Sequence, residues 1–189
     1  MKNWTRELVK MGACKEAILW GKGFPSLKEA WAVCERGDWM IWYAGKLSGE
    51  PGSEARKKLV LAACQCARLA LKYVRAGETR PLKAILTAES WARGENGVTL
   101  GDVRKAADAA AYAAAAYAAN AANAAAYAAS AANAYAYAAA DAADAAYAAA
   151  YAAYAAADAA DAAYAARKPT LKKCADIVRK FYPTAPEGG

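Results

Sequence analysis

Along residues 1–105 apolar positions recur at spacings of three and four and nowhere alternate at period two, so the pattern predicts helices and no strand. A short helix is expected over residues 4–11, broken at Gly12, with a second over 13–20 ending at Gly21 and Gly23. Ser26 and Glu29 have capping-box spacing, in which serine and glutamate each satisfy a free backbone donor of the other. That helix should end near Gly37, after which Asp38 caps a helix over 39–47 and Glu50-Pro51-Gly52 turns the chain.

A longer helix is expected over 53–75. Leu59, Val60, Leu61, Ala63, Cys64, Ala67, Leu71 and Val74 cover much of its circumference, which makes it the centre of the body. On it Gln65, Arg68, Lys72 and Arg75 follow at three, four and three and form one basic stripe. Pro81 sits at a first helical position of a helix over 81–92, and Gly94-Glu95-Asn96-Gly97 makes a turn. Thr99 and Asp102 form a second capping box, with Asp102 near the positive end of a long helix. At the far end Arg167 and Lys168 stand where the macrodipole is negative. Pro169 should stop that helix, and Thr170 should cap a last one over 171–181 before a flexible Pro/Gly tail.

Between residues 106 and 166 the apolar pattern gives way to 43 alanines, with only nine Tyr, five Asp, three Asn and one Ser among them. Alanine loses no rotamer freedom in a helix, so the tract is predicted helical throughout. One straight helix of that length would run about 90 Å, far beyond the ~16 Å radius of gyration of a compact chain of this size. Tyr117, Tyr127, Tyr137 and Tyr147 recur every ten residues. At ~100° per residue that stripe slips by about 80° per repeat, several times what a left-handed coiled coil absorbs. The tract is therefore expected to break, around residues 120–123 and 130–133, into two or three helices whose alanine faces pack closely.

The predicted fold is thus all-α: a multi-helix bundle with short N-terminal helices and a long Ala/Tyr-rich tract. Three segments are distinguished within one integrated domain: a Trp-rich body (1–105), the tract (106–168), and a C-terminal helix with its tail (169–189).

Charge separates these segments. The body carries 19 Lys/Arg against 11 Asp/Glu, the tract five Asp and no base, and residues 167–189 six against two, within a total of +7. A basic body joined to an acidic rod admits anionic ligands. Five irregularly spaced cysteines and no apolar run behind the first residues fit a reducing cytoplasm. The aspartates and asparagines make bilayer insertion of the tract costly, so no membrane is expected.

There is no histidine, which removes the commonest general base and metal ligand together. Cys64 and Cys66 are too close and too isolated for a zinc site, and a helix points their sulfurs apart. No phosphate loop, nucleophile elbow or HExxH occurs. The pairs Asp141/Asp144 and Asp158/Asp161 read as solvated helix faces. No enzyme activity, cofactor or metal is expected.

Candidate binding residues fall into three groups. Arg36, Asp38, Trp39, Trp42 and Tyr43 cluster within the body, with Trp20 and Trp91 as further members; they suit a pocket or interface, or else a locally paired, anchored short helix. Arg68, Lys72 and Arg75 suit a phosphate, or else form a solvated face. Tyr117, Asn120 and Tyr127 represent the tract, where rings either cover helix seams or stack on a nucleobase beside amide groups.

The runs Met11-Gly12-Ala13-Cys14-Lys15-Glu16-Ala17, Ser26-Leu27-Lys28-Glu29-Ala30-Trp31, Cys34-Glu35-Arg36-Gly37-Asp38-Trp39 and Leu59-Val60-Leu61-Ala62-Ala63-Cys64 resemble immunity proteins with an Imm-5-like domain from bacteria and phages. So do Arg80-Pro81-Leu82-Lys83-Ala84, Ala88-Glu89-Ser90-Trp91 and Cys174-Ala175-Asp176-Ile177-Val178-Arg179. The resemblance covers about residues 11–105 and the last helix. It implies neutralisation of a toxic or immune effector and brings no catalytic or binding residues with it.

The expectation is a non-enzymatic anti-defence protein of the host cytoplasm that sequesters a small anionic, nucleotide-like signal. The alternative is an immunity protein that caps a protein toxin. A minor one is a purely structural or ice-binding alanine-rich protein, against which nine bulky tyrosines of rotating phase argue. No nucleic-acid polymer is expected as partner, and alanine faces on long helices suggest a homo-oligomer.

Overall fold

A computed structural model describes residues 3–50, 52–69, 71–74, 76–95, 97–116 and 161–187. Among them are eight α-helices, one 3-10 turn and no strand: α1 Asn3–Lys10, α2 Lys15–Gly21, α3 Leu27–Val33, α4 Gly37–Leu47, α5 Glu54–Arg68, the 3-10 turn Leu71–Tyr73, α6 Arg80–Arg93, α7 Leu100–Ala116 and α8 Asp161–Phe181. The protein is all-α, as its patterning predicts, and the helices form a bundle. The tract's expected breaks at 120–123 and 130–133 lie outside the described residues, as do Arg75, Tyr117, Asn120 and Tyr127.

Local chemistry explains most helix starts. The Glu29 N–H donates to Ser26 Oγ at 3.2 Å while the serine hydroxyl donates to the Glu29 carboxylate at 3.1 Å. Thr99 and Asp102 close a box through two backbone donors, the Asp102 N–H at 3.2 Å and the Thr99 N–H at 2.9 Å, whereas at Ser26 it is the side-chain hydroxyl that reaches the glutamate. Ser53 Oγ accepts from the Arg56 N–H at 3.1 Å and starts α5. Gly94 ends α6 at φ +69, a left-handed conformation that costs glycine nothing.

Helix α5 is the centre. Leu59, Val60, Ala62, Ala63, Cys64, Cys66 and Ala67 are all buried, against α6 on one side and α4 and α8 on the other. Helix α7 lies outside α6, where Ala107 and Ala110 meet Ala84, and α1 packs on α2. The two cysteines of α5 diverge: Cys64 Sγ reaches the Ile85 carbonyl of α6 and Cys66 Sγ the Cys174 carbonyl of α8, each at 3.9 Å.

Four expectations about helix boundaries are corrected. Helix α3 ends at Val33 rather than near Gly37, because Arg179 of α8 donates Nη1 to the carbonyls of Trp31 (3.3 Å) and Cys34 (2.7 Å) and satisfies that end from outside. Asp38 is not a cap: α4 begins at Gly37, with Arg36 in the cap position, and Asp38 is buried in the first turn. Helix α5 stops at Arg68, where the Leu69 N–H bonds the Cys66 carbonyl at i−3 and the chain tightens towards the 3-10 turn, so Arg68 and Lys72 do not share one helical stripe.

The fourth correction concerns Pro169, which lies inside α8. An interior proline forfeits a backbone hydrogen bond and costs about 3 kcal/mol. The same helix buries Leu171, Cys174, Ala175 and Val178 against α4 and α5, and Leu and Val alone are worth about 1.5–3 kcal/mol each. Packing wins, and Thr170 and Lys168 are helix-interior residues.

Residues 182–187 are not a loose tail. Trp31 Nε1 donates to the Tyr182 carbonyl at 2.9 Å, the Tyr182 hydroxyl donates to the Ala55 carbonyl at 3.3 Å, and Ala185 packs on the core.

Candidate functional site

The best-defined polar cluster is built where α4 starts against α8. Gly37 lets the first turn of α4 sit directly on the backbone of Cys174 and Ala175. That close approach brings Arg36 and Asp38 to the same edge. Arg36 donates Nε to Asp38 Oδ1 at 2.9 Å and Nη2 to Oδ2, and its Nη1 lies 3.6 Å from Glu16 of α2. The Asp38 side chain is 5% exposed and that of Arg36 26%. Burial works against the arginine's charge, but the hydrogen bonds to Asp38 and the fields of Asp38 and Glu16 outweigh it and raise its pKa.

The guanidinium also sits over Trp39 with Cζ 4.2 Å from the ring centroid, a cation–π contact worth about 0.5–2 kcal/mol. Trp39 in turn meets Trp20 at 5.7 Å between centroids, and Trp20 meets Phe24 at 4.6 Å. An aromatic row with one clamped cation results.

This row opens on a cleft of about 470 Å³ lined by Trp20, Val33, Glu35, Arg36, Trp39, Lys168 and Leu171. Its volume falls within the roughly 300–1,000 Å³ typical of small-molecule sites. Most of its charges are already matched. Glu35 accepts from Lys172 of α8 at 2.7 Å, and that hydrogen bond holds its carboxyl below the usual range. Lys168, exposed on the rim, has no ion-pair partner among the described residues, so it is the cation an incoming anion would meet.

Trp42 and Tyr43 stand apart from that cleft. They line a small apolar cavity of about 50 Å³ with Trp4, Leu8, Trp31 and Met40. Trp42 takes Lys46 on its face at 5.6 Å, and Tyr43 meets Trp31 edge-on at 6.0 Å. Both residues belong to the packing of α4, and Trp91 packs against the core.

Arg68 and Lys72 belong to a second cleft of about 320 Å³, completed by Leu69, Pro169, Thr170 and Lys173. At ~100° per residue Lys168 and Leu171 fall on one edge of α8 and Pro169 and Lys173 on the other, so the two clefts flank the same helix. The structure thus divides the candidate residues between two places, and supplies α8 as the wall common to both.

Comparisons with family models, curated proteins and solved structures find no match.

The α8 residues of both clefts were hidden by the proline. Read as a stop signal, Pro169 assigns Lys168 to a helix end and Lys173 to a separate helix; read as interior, the spacing of Leu171, Cys174, Ala175 and Val178 gives α8 its buried face, with Lys168 beside it and Lys173 on the outer side. Burial raises the thiols of Cys34, to about 11, and of Cys64; Cys66 is raised by its hydrogen bond with Cys174 and by burial. Those thiols stay protonated and serve as core side chains.

Proposed function

We propose that this protein is a non-enzymatic binder of the bacterial or phage immunity type that sequesters a small, flat, anionic ligand of nucleotide character in the Trp20/Trp39 cleft. The observation that carries the reading is the convergence around one ligand-sized cavity of two indoles, a guanidinium over one of them, and Lys168, which has no ion-pair partner among the described residues. An arginine plane fixed on a ring offers its outer face for stacking a base, and Lys168 supplies charge for the phosphate. Asp38 and Glu16 hold the guanidinium in place beforehand, so little side-chain entropy is lost on binding.

Calorimetry and tryptophan fluorescence against a panel of linear and cyclic nucleotides test this reading. Saturable binding with quenched emission is expected, weakened by Lys168→Gln and by Trp39→Leu. If no nucleotide binds and a stable complex forms with a protein toxin, the reading is wrong. A specific feature favours that second reading: Leu19 (54% exposed) and Val33 (56%) present apolar surface on the neighbouring helices α2 and α3.

A further inference from the structure

The cleft on the other edge of α8 has a different chemistry. Three cations line it (Arg68, Lys72 and Lys173), with Leu69, Pro169 and Thr170, and no carboxylate stands among these lining residues. Behind it Glu89 of α6, 6% exposed, accepts from Arg68 Nε at 2.9 Å and Nη2 at 2.8 Å, and Arg93 approaches the same carboxylate at 3.7 Å. One buried carboxylate thus faces two arginines, and Lys173 is additional to them.

The side-on pairing has a geometric consequence. With Nε and Nη2 committed to Glu89, the guanidinium plane is fixed, and Nη1 with its two N–H donors remains on the opposite edge, without a partner among the described residues. Lys173 is exposed and likewise has no ion-pair partner among them. A fixed fork beside the exposed ammonium of Lys173 is the arrangement that suits phosphate oxygens. At roughly 30 Å³ per water the cleft holds the volume of about ten waters, more than a lone phosphate needs.

We propose that the cleft between the C-terminal end of α5 and the Pro169 segment of α8 binds a chain of linked phosphates, of the kind carried by inorganic polyphosphate or a nucleoside triphosphate. Arg68 is the positioned donor, Lys72 and Lys173 supply charge, and Glu89 is a positioning residue that acts through Arg68. This site is separate from the indole cleft and stands whether or not that cleft takes a nucleotide.

Titration calorimetry of the full chain with inorganic tripolyphosphate at low salt tests the assignment. One saturable site is expected, with affinity falling as salt rises. Lys173→Glu should weaken it by at least about tenfold, since the reversal sets like charges together. Lys28→Gln, on α3 and outside both clefts, should leave it within about twofold. Both lysines are exposed, and an unchanged circular dichroism melt verifies that each variant is folded. Nucleoside triphosphate competing with tripolyphosphate identifies the shared phosphate chain as the determinant. The proposal is overturned by absence of binding at low salt, by equal weakening in the Lys28 and Lys173 variants, or by binding of duplex DNA in place of tripolyphosphate.

Discussion

Replacing Gly37 by alanine isolates the contact on which the Arg36–Asp38 edge depends. The added Cβ would lie 2.6 Å from the Ala175 nitrogen and 2.7 Å from the Cys174 carbonyl carbon, and closer still to Cys174 Cβ. Ordinary carbon contacts fall at about 3.5–4.0 Å, so α4 and α8 must separate by about 1 Å. None of the obstructing atoms is the far end of a flexible side chain, so relief cannot come from a rotamer change. Overpacking of this kind costs about 1–3 kcal/mol, offset by at most ~1 kcal/mol of improved helix propensity. A net loss of about 2 kcal/mol lowers Tm by about 4–8 °C for a chain of this length. Gly52, where a Cβ would meet nothing within 4 Å, is the control. Differential scanning calorimetry of both variants decides: a G37A midpoint within about 1 °C of the parent, or an equal drop in G52A, refutes the close-approach argument.

The Arg68–Glu89 pair should show an asymmetry in chemical denaturation. Removing Arg68 leaves a 6% exposed carboxylate with only Arg93 nearby and approaches the ~3–5 kcal/mol of a broken buried pair, whereas Glu89→Gln frees two arginines, 37% and 49% exposed, that water can reach, and costs less; equal costs would contradict it. Arg80 hydrogen-bonds Glu78 and lowers its pKa from 4.5 to about 2, so its contribution to stability is present above 4.5 and is lost as pH falls towards 2. Glu78→Gln should flatten stability against pH across that window, and an unchanged slope would count against the pairing. Pro169→Ala restores a backbone donor inside α8 and should raise Tm by roughly 6–12 °C; a lowered midpoint would mean that the helix needs the proline.

Signals carried by a few neighbouring residues were legible in the sequence. The Thr99/Asp102 capping box and the serines that cap α3 and α5 work within one turn, where the side chain and the backbone N–H it satisfies lie three residues apart. At Gly94, which ends α6, the backbone N–H closes on the Trp91 carbonyl three residues back. What could not be read was decided by distant partners. Arg179 ends α3 across 145 residues, and Glu89 holds Arg68 at the end of α5 from 21 residues away. The indole site was half legible: Arg36, Asp38 and Trp39 do stand together, but Trp42 and Tyr43 turn to the interior, and nothing in residues 31–43 announces that α8 forms the facing wall.

That wall also sets an order of events during synthesis. Trp31 is held by Tyr182, Ala55 by Tyr182 and Cys34 by Arg179, contacts 151, 127 and 145 residues apart. A ribosome adding about 5–20 residues per second needs roughly 3–13 s to pass from the end of α7 to Tyr182. Through that interval Met40, Ile41 and the α8-facing side of α5 await the surface that buries them. Each further ten-residue unit inserted into the alanine tract would lengthen the wait by about 0.5–2 s. The number of repeats is therefore a clock on how long the nascent core stays open to chaperones and to other copies of itself.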